Sequence, residues 1–253
     1  MKLKKWLWLF FLVAIPLHTI AQGDTTSTKI NDIFLNKAFI DYGAEYYKIS
    51  DKNSILEHHI LFQPFVNDVN ILNIEFGLTH SFLDSVKAFS PADLSISYQR
   101  NFLHSNYGEL GYQGHAAKLK LIIPTGRGEY LSGSNSWAVE PLLGFQWHVF
   151  TNDFITAWQI RYNYNFGALP DKAIRPDFVR VEYSIGFDNT KQLVFIDLDY
   201  RRVTQNNSHS LFINFEIGTK VSERTGIRFS AKPRIIGDDF NELSTILGLY
   251  HFF

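Results

Sequence analysis

Three short stretches set an imidazole beside a hydroxyl: His80-Ser81, His104-Ser105-Asn106 and His209-Ser210. A His and a Ser with a third polar residue are the parts of a hydrolase site. On a strand, however, residues i and i+1 point to opposite faces. Each pair therefore diverges, and catalysis would need a triad assembled across strands. Otherwise each of these His faces water at a strand end. His58-His59 is likewise a diverging pair, and neither His-x-His nor His-Glu-x-x-His occurs, so no metal set is expected. There is no Cys, which excludes a disulfide scaffold, a thiolate metal site and a cysteine nucleophile. Gly126-Arg127-Gly128 lacks the Gly-Lys-Ser/Thr ending of a phosphate loop and enters a strand. No cofactor is expected.

What remains is charge repeated at every second position. In Phe154–Phe166, Trp158, Ile160, Tyr162, Tyr164 and Phe166 share one face, and Gln159, Arg161, Asn163 and Asn165 share the other. Alternation of this kind gives a strand one apolar and one polar surface. The polar faces of successive runs carry Glu75, Lys118, Lys120, Glu140, His148, Arg161, Arg180, Glu182, Asp197, Asp199, Arg201, Glu216, Lys220, Arg228, Lys232 and Arg234. His148 aside, nine of these are basic and six acidic. Arg100, Arg202 and His251 fall on the apolar face near run ends, where long side chains can snorkel.

The elements that must carry these faces are strands near 39–48, 57–65, 70–82, 93–102, 112–123, 135–149, 153–167, 177–188, 192–203, 209–220, 225–235 and 243–253. Twelve is an even number, and most runs are nine to thirteen residues long. About 9–11 tilted residues cross a bilayer, whereas strands of soluble domains are mostly shorter. Counting back from the C-terminus, one set of connections is short: Asn67-Asp68, Thr151-Asn152, 188–191 and 222–224. The other set is mostly longer: Leu83–Ala92, Pro124–Ser134, Ala168–Pro176 and Ile236–Glu242. Thr204–Ser208 and Leu103–Gly111 break the alternation. The expected fold is all-β, a transmembrane antiparallel up-and-down barrel of about 12 strands over 38–253. A secreted β-sandwich with one wet face is the alternative.

Composition agrees once the chain is divided. Of 253 residues, 45% are hydrophobic, and Phe 23, Tyr 12 and Trp 5 give 16% aromatic. A net charge of −1 with that apolar content excludes disorder, and a pI near 6.8 argues against a nucleic-acid partner. Lys2, Lys4 and Lys5 precede the apolar run Trp6–Ile15, then Pro16 and the small residues Thr19 and Ala21. This is the layout of a signal peptide over residues 1–21. Residues 22–37 form an N-terminal segment, periplasmic or lumenal. Export without a second long apolar run leaves a soluble protein or a barrel. A mean hydropathy of −0.09 is then the average of two unlike faces.

The stretch Lys118–Phe145, KLKLIIPTGRGEYLSGSNSWAVEPLLGF, adds a resemblance. Its alternating Lys and aliphatics, Pro124-x-Gly126, the Gly-rich loop with Gly128 and Gly133, then Trp137 and Pro141, are similar to an outer-membrane family named for the meta pathway of phenol degradation. That resemblance implies a β-barrel and a transporter. The C-terminal run ending on Phe253 resembles the signal read by the barrel-assembly machinery, with His251 departing from the pattern. The expected location is the outer membrane, with lipid as the surrounding partner.

The expected function is a channel for small or hydrophobic, including aromatic, solutes, and not an enzyme. Its lining would be Lys118, Lys120, Glu140, Arg161, Arg180, Glu182, Asp197, Asp199, Arg201, Glu216, Arg228 and Lys232, with a slight anion preference. The alternatives are a closed structural or recognition barrel without conductance, whose inner charges form a salt-bridged plug, and, after it, a barrel lipid hydrolase built on the His and Ser residues above.

Overall fold

Long runs of alternating apolar and polar residues, bounded by short polar turns, leave the backbone one regular solution: extended strands paired to their neighbours. The structure is a computed structural model describing residues 38–66, 70–84, 86–107, 111–126, 133–149, 154–168, 176–188, 191–237 and 242–253. The predicted signal peptide and the segment 22–37 lie outside the described residues. Thirteen strands form among the described residues: β1 (Phe39–Lys48), β2 (Ser54–Val66), β3 (Asn70–Leu83), β4 (Val86–Pro91), β5 (Leu94–Tyr107), β6 (Gly111–Ile123), β7 (Ser136–His148), β8 (Phe154–Ala168), β9 (Phe178–Asp188), β10 (Gln192–Val203), β11 (His209–Lys220), β12 (Thr225–Gly237) and β13 (Leu243–Phe252).

Consecutive strands pair antiparallel, except that β4 and β5 both pair with β3; β1 pairs with β13 and β2 with β3, so the sheet closes on itself. β4 and β5 together fill one position in the ring. β4 pairs with the last part of β3, Leu78–Leu83, and β5 with the first part, Asn70–Glu75. Ala92-Asp93 interrupts the two. The ring therefore has the twelve expected positions and one extra strand. Twelve strands ~4.8 Å apart, tilted by ~40°, close at a backbone radius of about 12 Å.

Two expectations for the connections are corrected. Leu83–Ala92, expected to be an outer loop, is mostly strand: β3 and β4 form a hairpin turning near Asp84. Lys87 to Ser90 continues the alternation, with Phe89 outward and Ser90 inward, so pairing is not lost there. Leu103–Gly111, expected to be a long connection, is also strand. β5 runs to Tyr107 and β6 starts at Gly111. One end of the barrel thus holds the start of β1, the end of β13 and five connections of three to five residues, and we call it the turn end. The opposite loop end carries the longer connections, 124–135 and 169–177 among them.

Side-chain burial follows the period. Phe76, Leu119, Leu143, Ile217 and Leu247 stand outward, each roughly half exposed, while Ser81, Ser97, Gln146 and Asp199 point inward and are buried. A continuous apolar exterior of this extent is a lipid-facing surface. Inside, the turn end is apolar. Ile155, Leu193 and Phe195 form one buried cluster, and Tyr250, Phe252 and Phe39 another. Gly186 and Gly226 make this possible, because a Cβ at either would strike the Phe195 or Tyr250 ring lying across it. At the loop end, Gly237 has φ +96°, and a Cβ there would lie 1.8 Å from the His209 carbonyl oxygen. Of the three polar residues expected on the apolar face near run ends, Arg100 lies level with Asn70, the first residue of β3, and stacks 5.9 Å above Phe102. Arg202 donates to Asn207, and His251 Nδ1 meets Thr225 Oγ1 at 2.8 Å.

Candidate functional site

The inward charges meet between the apolar turn end and the polar loop end, and most are paired across strands. Asp199 on β10 is completely buried (0% exposed). It accepts from Arg180 Nε of β9 at 2.8 Å, from Arg201 Nη2 at 3.0 Å and from Lys232 Nζ of β12. Arg180 also donates to Glu182, Glu182 accepts from Arg161 of β8, and Arg161 Nη1 reaches Glu140 of β7 at 3.4 Å. The result is an unbroken ladder Lys232–Asp199–Arg180–Glu182–Arg161–Glu140. Lys232 must pass over β11 to reach Asp199, and Phe212 lies under that crossing. The Arg201 and Lys232 cations sit 4.7 and 5.6 Å from its ring centroid, a favourable placement against the ring face. Asp197 accepts from Asn214 at 2.7 Å.

Two further pairs bridge distant parts of the ring. Lys120 of β6 reaches Glu75 of β3 at 2.7 Å, and Ser95 of β5, the strand between them, donates to the same oxygen at 3.1 Å. Arg228 of β12 crosses β13 to Asp41 of β1 at 2.5 Å. The crossing point is Gly248, where a Cβ would lie 2.7 Å from Arg228 Nε. Arg228 also lies 3.7 Å from Glu216. Every charged residue expected from the sequence to line the lumen is on the inner surface where its side chain is described; the side chain of His148 lies outside the described residues.

The sequence reading omitted three inner acids, Asp41, Glu45 and Glu57. The parity of β1 and β2 was the available signal: Asp41 and Glu45 alternate with the outward Ile40, Tyr42 and Tyr46. With these three the described inner face holds nine bases and 6 + 3 = 9 acids. The distribution around the ring is uneven. The inner faces of β1–β5 carry Asp41, Glu45, Glu57 and Glu75 and no Lys or Arg. Among the described side chains, those of β6–β12 carry all nine bases and five acids, Glu140, Glu182, Asp197, Asp199 and Glu216, for a formal +4 against −4. Glu45 and Glu57 face each other in register across β1 and β2. Like charges in direct opposition are unfavourable. Tyr47 donates to Glu45, whereas Glu57 forms no ion pair among the described residues. Lys118, opposite Leu142 in the β6–β7 ladder, also forms none among the described residues.

The glycine-rich motif has a separate role at the loop end. The Asp93 carboxylate accepts from Gly126 N at 3.0 Å and from Ser134 N at 2.6 Å, closing the base of the 124–135 connection. Thr125 Oγ1 donates to the Ala92 carbonyl at 2.6 Å, and Pro124 precedes this clamp. Gly133 has no space for a side chain, since a Cβ would meet Asp93 and the Gly126 backbone at 2.6 Å. Gly128 lies outside the described residues. Trp137 and Pro141 are outward on β7, and the β7–β8 ladder skips Glu140 and Pro141, where proline has no N–H to give.

The His-Ser pairs do not converge. Ser81 and Ser210 are buried in the lumen, while His80 stacks outward on Phe89 and His209 near Tyr200. The side chains of His104 and Ser105 lie outside the described residues. His58 is outward against Tyr42, and His59 is inward across Gly43.

The fold so described is that of an outer-membrane β-barrel. It is similar to an outer-membrane channel from Pseudomonas putida F1, with a TM-score of 0.68 at 10% identity over 92% of this chain and 100% of that one. It is also similar to the KdgM porin, at 0.57 and 11% over 85% and 99%, and to the NanC porin, at 0.57 and 9% over the same shares. No family model and no curated protein sequence matches the chain. The resemblance of Lys118–Phe145 to the phenol-pathway family therefore stands on the motif.

Proposed function

We propose that the protein is a narrow channel of the bacterial outer membrane for small polar solutes. The observation that carries this is the ring of inner cations: Arg161, Arg180, Arg201, Arg228 and Lys232 are paired to acids yet keep between 15% and 26% of their side chains accessible, in front of carboxylates that are nearly all more deeply buried. A solid plug would bury both partners. The likeness in fold to three channels supports the same reading. Charge on so many inner strand faces favours polar over hydrophobic or aromatic cargo, since an apolar solute would have to displace water from ionised groups.

The pathway is export through cleavage of residues 1–21, then insertion through recognition of β13 by the assembly machinery. Phe253 stands at the turn end, 63% exposed, where the short turns of such barrels face the periplasm. The meta-pathway family is a refinement of this reading and rests on the motif residues. A closed structural barrel is the second reading, favoured by the complete burial of Asp199.

Purified, folded protein in a planar bilayer decides between them. Discrete conductance steps are expected of the channel. A silent bilayer with protein that shows heat-modifiable gel mobility would sink it and favour the closed barrel.

A further inference from the structure

The two halves of the lumen wall differ in sign, and the closed ring sets them face to face. Counting β4 and β5 as one position, strands six positions apart are diametrically opposed. β1 then faces β8 and β2 faces β9. Glu45 and Glu57 therefore stand across the lumen from the strands of Arg161 and Arg180. The bridges Lys120–Glu75 and Arg228–Asp41 join the two arcs at their borders. Arg228 also lies within electrostatic reach of Glu45.

Formal charges of −4 and +4 cancel along the axis but not across it. A monatomic ion of either sign is attracted to one wall and repelled by the other. A neutral solute gains little. A solute with separated positive and negative ends gains from both walls at once, its anionic end toward the guanidinium arc and its cationic end toward the carboxylate arc. A low-dielectric wall strengthens such a field. Glu57 is central to this arrangement because it lies in register with Glu45, which sets two inner carboxylates side by side on the acidic wall.

We propose that the lumen selects small zwitterions, of the amino-acid class, by aligning them in a field directed across the pore. The proposal rests on the channel reading above and names its substrate class.

The test is entry of two size-matched solutes into liposomes containing the refolded protein. Alanine is the zwitterion and lactamide its uncharged counterpart. Alanine is expected to enter about three- to tenfold faster. In a Glu45→Gln/Glu57→Gln variant that retains heat-modifiable mobility, the alanine-to-lactamide ratio is expected to fall to about one. If the double variant does not fold, Glu57→Gln alone unpairs no cation and should lower the ratio by roughly half. Equal entry of both solutes into wild-type liposomes, or a ratio unchanged in the variants, overturns the proposal and leaves the channel standing. Entry of neither solute with folded protein overturns the channel reading itself.

Discussion

The inner faces of β6–β12 and of β1–β5 solve the same problem differently. Both line one lumen, and both put ionisable groups in the middle of a membrane-spanning wall. In β6–β12 charges of both signs lie side by side, so Glu140, Glu182, Asp199 and Glu216 each pair with one or more cations and are buried behind them. In β1–β5 there are only acids, with serines, asparagine and glutamine around them. Two of these acids borrow a cation from the other arc, across a strand whose inner residue is small: Ser95 in one case and Gly248 in the other. Glu45 and Glu57 form no ion pair among the described residues. Pairing holds the first arc together, whereas the second keeps its charge for the lumen.

The sharpest break in that contrast is Asp199→Ala. It removes the common acceptor of Arg180, Arg201 and Lys232 and leaves three cations crowded together. Breaking a buried ion pair costs about 3–5 kcal/mol, so urea unfolding of the inserted barrel should shift by that order or the barrel should fail to assemble. Gly248→Val is next. Its side chain occupies the path of Arg228 to Asp41, and overpacking of this kind costs about 1–3 kcal/mol. In a double-mutant cycle with Asp41→Asn its effect should be non-additive, because both remove one bridge.

Asp93→Ala tests the clamp at the loop end. Two backbone N–H groups lose their acceptor, at about 1–2 kcal/mol of local stability. The expected readout is faster protease nicking within 124–135 while the barrel keeps its heat-modifiable mobility. Glu57→Gln should change stability least, by under about 0.5 kcal/mol in either direction, because no cation depends on it. It should instead shift the bilayer reversal potential toward anions. A large loss of stability there, matching that of Asp199→Ala, would show that the two arcs do not differ as described.

Much of the barrel was legible in the chain because a strand buried on one face and in lipid on the other must alternate over its whole length. Each of the twelve expected runs coincides closely with a strand. The misread stretches, 83–92 and 103–111, had alternation too, but it was interrupted by Ser, Asn and Pro, which also mark turns. Tyr42 and Tyr46 against Asp41 and Glu45 carried the same signal in the first strand, where a short run made it weak.

The sequence by itself therefore determined the period, the strand count, the apolar exterior and which charges point inward, since each is a property of a single strand. It could not determine who pairs with whom. Arg228 meets Asp41 across 187 residues of chain, and only closure of the ring puts them two strands apart. Nor could a list of inner residues show that all nine described bases share one wall while four of the nine acids stand alone on the other. That separation is a matter of position around a circle, and the circle exists only when β1 has found β13.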